Sequence, residues 1–402
     1  MSDTTLEVST SETELLRPTL VDLPIEVILK IFDHLDPVFL HDVLSRVCRK
    51  FNEMIFCEFL WKRAYHTRNS LVTTITYPFL EKVGLYSTKW KTGRDMSWRA
   101  LCVSTENAKN RWFDPEKTIS FPSGETVTVV HIMKGGHCLT GSRERSIQVW
   151  NLTEKKTAHY VPSAHNGWLS GLCTIGDNVV SCGWDSCVKI WSLRDSMEAL
   201  NAFRLDMAVM AVDSQPQMIA ACTFPELVLI DPRIGRADGF NRYAMEEGSV
   251  VQLSFWQNSV ILASRSKALM QFDLRMGRTC LRENIQTVSP PRTMSILDDI
   301  VYVGDNAGNV YLYDLYNNFK LVDTFAMCES QAQIRALIPR RGYMIVGSSD
   351  GELKAVLSVK GPNGLKVLKS HYCDGEVSCG HYNDGTLAVL NGTNGVVTIF
   401  LP

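Results

Sequence analysis

Seven times along this chain the same kind of segment recurs: a tight turn, then a short alternating strand that ends on a large apolar residue. GSRERSIQVWNL starts at Gly141, CGWDSCVKIWSL at Cys182, CTFPELVLIDPR at Cys222 and ASRSKALMQFDL at Ala263. GDNAGNVYLYDL starts at Gly304, GSSDGELKAVLS at Gly347 and NGTNGVVTIFLP at Asn391, so the steps are 41, 40, 41, 41, 43 and 44 residues. A unit of this length holds four short strands and cannot bury its own apolar faces, whereas stacking such units in a closed ring buries them. The period therefore predicts an all-β propeller of seven blades over 117–402. The last repeat ends on VVTIF with no fourth strand, and KTISFPS from Lys117 is a strand with no hairpin partner. An unpaired edge is a template for aggregation, so 117–121 is expected to pair beside 396–400 and close the ring.

The best-preserved repeat carries His165, Ser181, Asp185 and Trp191. With the period, this pattern resembles the WD-repeat family. The resemblance implies that these four residues form a hydrogen-bonded structural set within one blade, with the carboxylate fixing a turn and the Trp packing between blades. Thr140, Glu144 and Trp150 are a near copy in the first repeat. Later repeats hold Ile230, Phe272, Tyr313, Val356 and Phe400 at the Trp position and lose the polar members, so those blades are expected to lean on apolar packing. A His, a Ser and an Asp are also the ingredients of a hydrolytic triad. That chemistry needs an exposed Ser and an oxyanion site, and a strand serine between blades has neither. No catalytic residue and no enzymatic activity are expected.

Ahead of the repeats, residues 1–19 are rich in Ser, Thr and Glu and are read as a disordered tail. From Leu20 the apolar residues fall at helical spacing: Ile25, Ile28, Leu29, Phe32 and Leu35, then Leu40, Val43, Leu44 and Val47. Pro24 suits a helix start and Asp36-Pro37 a helix stop. Leu23-Pro24, the Ile28-Leu29-Phe32 stripe, Leu35-Asp36-Pro37, Val47-Cys48-Arg49, Phe51 and Leu60-Trp61 together resemble the F-box family over 20–66. Residues 67–116 are assigned to a helical connector, with Trp98 and Cys102 on one further helix. The fold class is thus α+β multidomain: a helical F-box and connector, then an all-β seven-bladed propeller.

A bundle of that size cannot bury all its apolar side chains, so part of the stripe is expected to meet a partner. The resemblance implies a Skp-type adaptor, and through it a cullin scaffold. It assigns the contact to Leu23, Pro24, Ile28, Leu29, Phe32, Leu35, Val47, Cys48, Phe51 and Trp61. It also implies that the propeller face built by the turns between blades and between second and third strands carries a client protein. Arg143, Trp168, Trp184, Arg265, Arg292 and Arg335 fall at that face. Arg and Trp dominate binding hot spots, and guanidinium forks suit carboxylate or phosphate groups, so an acidic or phosphorylated client segment is one expectation. The implied function is that of a substrate-recognition subunit of a Skp–cullin–F-box ubiquitin ligase; the alternative is a WD-repeat scaffold that assembles partners without degrading them.

Composition narrows the rest. With 41 basic against 43 acidic side chains and a net charge of -2, neither nucleic acid nor an anionic membrane surface is an expected partner. No apolar run is long enough to span a membrane, and the polar N-terminus has no signal-peptide core. The 12 cysteines show no CxxC pair or zinc-finger spacing. They read as reduced thiols of a cytoplasmic or nuclear protein, with no metal and no cofactor.

Overall fold

The computed structural model describes residues 20–68, 98–99, 102–103, 106–107, Trp112, and 117–401 apart from 194–196, 225, 235–239, 246–248, 329–331, 341–342, 359–364, 374, 384–385 and 392–394. The assigned tail 1–19 and most of the connector lie outside the described residues. What is described forms two units: a helical one from 20–68 with the pieces between 98 and 107, and a β unit from Trp112 onward.

The helical unit holds α1 (Ile25–His34), α2 (Pro37–Asp42), α3 (Arg49–Ile55) and α4 (Glu58–Arg68). Each boundary has a local cause. Asp36 Oδ1 accepts from the backbone N–H of Val38 at 2.7 Å and of Phe39 at 3.1 Å, while Pro37 occupies the first turn of α2. Cys48 Sγ accepts from the N–H of Phe51 at 3.4 Å and caps α3. Ile28, Phe32, Leu40, Phe51, Ile55, Leu60 and Trp61 make the core, with Phe32 edge-on to Phe51 at 5.5 Å. Trp98, Cys102 and Val103 pack against this same cluster. Arg63 ties α4 to α1 through a two-pronged contact with Asp33, at 2.6 and 3.2 Å.

The β unit is a seven-bladed propeller of four-stranded antiparallel sheets. The strand Thr118–Pro122 completes the last blade, pairing with Val396–Phe400 in the register Thr118↔Phe400 and Phe121↔Val397. The seam is reinforced by Ser123, whose N–H donates to the Gly395 carbonyl at 2.8 Å. Seven apolar clusters, each spanning two adjacent blades, form the core. The residue at the Trp position of each repeat reaches back into the preceding blade: Trp150, Trp191, Ile230, Phe272, Tyr313, Val356 and Phe400 are all 5 % exposed or less.

Two backbone devices repeat with the blades. The turn between second and third strands puts Arg145, Ser186, Lys267, Gly308, Gly351 and Gly395 at φ between 60° and 86°, five residues before the Trp position. At Gly395 a side chain would also strike the Glu125 carbonyl. The other device is a β-bulge at the second residue of the innermost strand in six blades, at Thr128, Ser170, Val251, Arg292, Arg335 and Ser378. A bulge leaves its residue out of the ladder and re-aims its side chain. Here the re-aimed residues line the central channel.

Candidate functional site

The helical unit divides its apolar residues between core and surface, and the division differs from the sequence-based set. Ile28, Phe32, Phe51 and Trp61 are 6 % exposed or less and belong to the core, which removes them from any partner-facing surface. Helical periodicity locates an apolar stripe but does not say which side of it a short neighbouring helix will cover. Leu23, Leu29, Leu35 and Cys48 are half-buried against that core, while Pro24 and Val47 are exposed. Among the described residues the large exposed apolar side chains here are Leu20, Ile25, Val27, Phe39, Val43, Val47 and Phe59, of which Val47 belongs to the sequence-based set. Phe39 on α2, Val43 at its C-terminal cap and Val47 after the 3-10 turn Leu44–Arg46 are three exposed apolar side chains along one short stretch. Phe56 is also exposed, with the Arg99 guanidinium 4.2 Å over its ring.

In the second blade His165 Nδ1 meets both Asp185 oxygens at 2.9 and 3.0 Å, and its Nε2 meets Ser181 Oγ at 2.7 Å. Trp191 Nε1 donates to the same Ser181 Oγ at 2.8 Å. Burial works against ionisation of Asp185, but donation from His165, Asn166 N–H and Cys187 N–H outweighs it and holds the carboxyl below the usual range. Ser181 is wholly buried and its oxygen is shared by two neighbours, so no substrate can reach it. The arrangement is a structural lock. The first blade repeats part of it: Trp150 Nε1 donates to Thr140 Oγ1 at 3.1 Å, and Glu144 accepts from the N–H of Thr126 at 3.0 Å.

The later blades are not held by apolar contact alone, which corrects the sequence reading. In the fifth blade Asp305, fully buried, accepts from the N–H groups of Ala307 and Asn309 and from the Tyr311 hydroxyl. The residue two before the Trp position is also polar in five blades, and in four of them it reaches the loop entering its own blade. Gln148 donates to the Ser123 carbonyl, Lys189 to Ala164 and Lys354 to Met327, while the Tyr311 hydroxyl accepts from Val288 N–H. Position-by-position comparison of the repeats at this register was the signal available for these residues.

At the channel mouth the bulge brings Arg292 and Arg335 into the ring, and Arg265 joins them from the adjoining turn. Burial, then repulsion from Arg335 and Arg265, lowers the pKa of Arg292. Glu376 stands 3.8 Å from Arg335, whose Nε is buried with no hydrogen-bond partner. Arg143, Trp168 and Trp184 assemble separately on the same rim. The two indoles lie 5.0 Å apart and the Arg143 guanidinium sits 5.1 Å over Trp168. Among the described residues there is no group of three His, Cys, Asp or Glu side chains placed to hold a metal ion, and no helix is long and apolar enough to cross a membrane. All twelve cysteines are free thiols.

Residues 20–67 match the F-box-like family model. The chain is 25% identical over 373 residues to F-box/WD repeat-containing protein 9 of Bos taurus, covering 88% of this chain and 77% of that one. It is 22% identical over 333 residues to F-box/WD repeat-containing protein mec-15 of Caenorhabditis elegans, covering 77% and 79%. The β-propeller domain of Myceliophteria thermophila Cps50 (Swd1) superposes with a TM-score of 0.61 at 14% identity, over 71% of this chain and 99% of that one, a likeness of fold.

Proposed function

We propose, from the F-box/WD-repeat organisation of this chain, that it is the substrate-recognition subunit of a Skp–cullin–F-box ubiquitin ligase. F-box domains generally bind Skp-type adaptors, and this F-box-like unit offers a surface suited to one. The observation that carries the reading is the stretch with Phe39, Val43 and Val47, exposed at 44%, 46% and 60% on a unit whose own core is complete without them. Burying such side chains yields about 25 cal/mol per Å², enough to drive docking once ordering costs are subtracted. The propeller holds the client. The protein itself makes and breaks no bonds; it raises the effective concentration of client lysines beside a charged ubiquitin-conjugating enzyme. The free thiols suit a reducing cytoplasmic or nuclear setting.

The test is capture of a Skp-type adaptor by the full chain and by a Val43→Glu, Val47→Glu double variant. The wild-type protein is expected to co-purify with the adaptor, and the variant to lose it while its propeller stays folded. Unchanged capture by the variant, or none by the wild type, overturns the docking assignment. Client half-life on depletion separates a degradative receptor from a scaffold, because a scaffold leaves that half-life unchanged.

A further inference from the structure

We infer that the face of the ring away from the channel mouth docks a basic segment of a protein partner, with an Arg or Lys side chain seated in the corner between Trp256 and Tyr316 and its charge at Asp299. This goes beyond the ligase reading and does not rest on it, since it concerns the face opposite the one assigned to the client.

The topology brings these residues together. In a four-stranded antiparallel blade the first and third turns lie at one end, and the second turn lies at the other, with the mouth. Trp256 is the last residue of the innermost strand Val250–Trp256 in the fourth blade. Asp298 and Asp299 make the first turn of the fifth blade, between Pro291–Leu297 and Ile300–Asp305. Tyr316 stands in the third turn of that blade, just after Asn309–Asp314. Hydrogen bonds join the three turns. Trp256 Nε1 donates to Asp299 Oδ1 at 3.3 Å, and Gln257 Nε2 donates to the Tyr316 hydroxyl oxygen at 2.8 Å. Gln215 of the third blade donates to the Gln257 carbonyl at 3.2 Å and braces the Trp256 turn.

The two rings meet at 72° with centroids 5.4 Å apart. Trp256 is half-buried and fixed against the cluster between the fourth and fifth blades, whereas Tyr316 is 51% exposed. A pair serving only the core would be covered; this corner stays open at the surface. Ring faces attract cations, and Trp does so most strongly. The charges around the corner point the same way. The Asp299 carboxylate meets the Trp256 indole and the Tyr316 hydroxyl. That of Asp314 meets Tyr316 N–H at 2.9 Å and Asn317 Nδ2 at 2.6 Å, so both carboxylates have neutral donors. Among the described residues no Lys, Arg or His pairs with either. Burial first, then repulsion from Asp298 and Asp314, holds the Asp299 carboxyl above its usual range. A cation over the aromatic corner offsets that repulsion, which an uncharged side chain cannot do. A bare metal ion fits less well, because hard cations need six or more oxygens and these carboxylates are already engaged by neighbouring donors.

The experiment is fluorescence anisotropy of the full chain with a short fluorescein-labelled Ser/Gly peptide carrying a central run of three Arg, and with its Gln counterpart. The Arg peptide is expected to bind and the Gln peptide to bind far less. Asp299→Asn and Tyr316→Leu are each expected to weaken binding of the Arg peptide by about fivefold or more. Asp323→Asn makes the same charge change at an exposed site on the outer strand Lys320–Ala326 of the same blade, and is expected to leave binding unchanged. Thermal unfolding of each variant checks that the ring is intact. No binding of the Arg peptide, equal binding of the Gln peptide, full binding by Asp299→Asn or Tyr316→Leu, or an equal loss with Asp323→Asn overturns the inference.

Discussion

At the scale of single residues, one oxygen decides how firmly the second blade is held. Ser181 Oγ serves both His165 Nε2 and Trp191 Nε1, and all three side chains are 5 % exposed or less. Ser181→Ala leaves a buried indole N–H and an imidazole nitrogen without partners. The expected loss is about 3 kcal/mol by equilibrium urea denaturation, against about 1 kcal/mol for Thr140→Ala, which strands only Trp150. Equal losses would show that the shared oxygen has no special weight. This lock was legible in the sequence because its four members keep a fixed spacing. Arg292 was harder to place, since a bulge inserts a residue into the strand and shifts a register read by simple alternation. The helical surface was misread at Ile28, Phe32, Phe51 and Trp61 for another reason. An amphipathic period reports that a stripe is apolar, and only the packing of several short helices decides which part stays outside.

At the scale of elements, the ring is closed by a strand from one end of the β unit pairing with a strand from the other. The incomplete last repeat made this visible, because a propeller has few ways to hide both edges. The inner strands at the same seam carry a feature that periodicity could not show. His131 of the first blade and His381 of the seventh lie with ring centroids 4.1 Å apart, and His381 Nδ1 accepts from Ile132 N–H at 3.0 Å. Burial lowers His131 to about 4 and His381 well below its usual value, with His131 and Arg340 adding to the second shift. The unfolded chain, with histidines near 6.5, therefore binds more protons than the folded one below that pH. Stability from this pair is greatest above 6.5 and is lost as the pH falls toward 4, by about 2 kcal/mol for His131 between pH 7 and 5, with His381 acting in the same direction. Half-buried Asp213 and Asp299 are shifted up by desolvation and act in the opposite sense, so the comparison must be with a variant. His131→Phe is expected to show a shallower fall than wild type over that interval. Parallel curves from denaturation at several pH values would contradict this.

At the scale of the whole molecule, the two units have separate interiors built on different principles. The helical unit has one cluster centred on Trp61, whereas the propeller distributes its core over seven interblade clusters. A ring of that kind transmits a local loss to its neighbours, because every blade is half of two interfaces. Opening one interface exposes apolar faces on both sides, so the ring should melt as one cooperative body. The helical bundle is small, and its stability is expected to be modest by comparison. Calorimetry on the full chain should therefore resolve a smaller and a larger transition. Val43→Glu with Val47→Glu alters exposed side chains, so it should move neither transition by more than about 0.5 kcal/mol. Ser181→Ala should lower only the larger one, and the two sets of substitutions should add. A single transition displaced by both sets would show that the helical unit and the ring do not unfold independently.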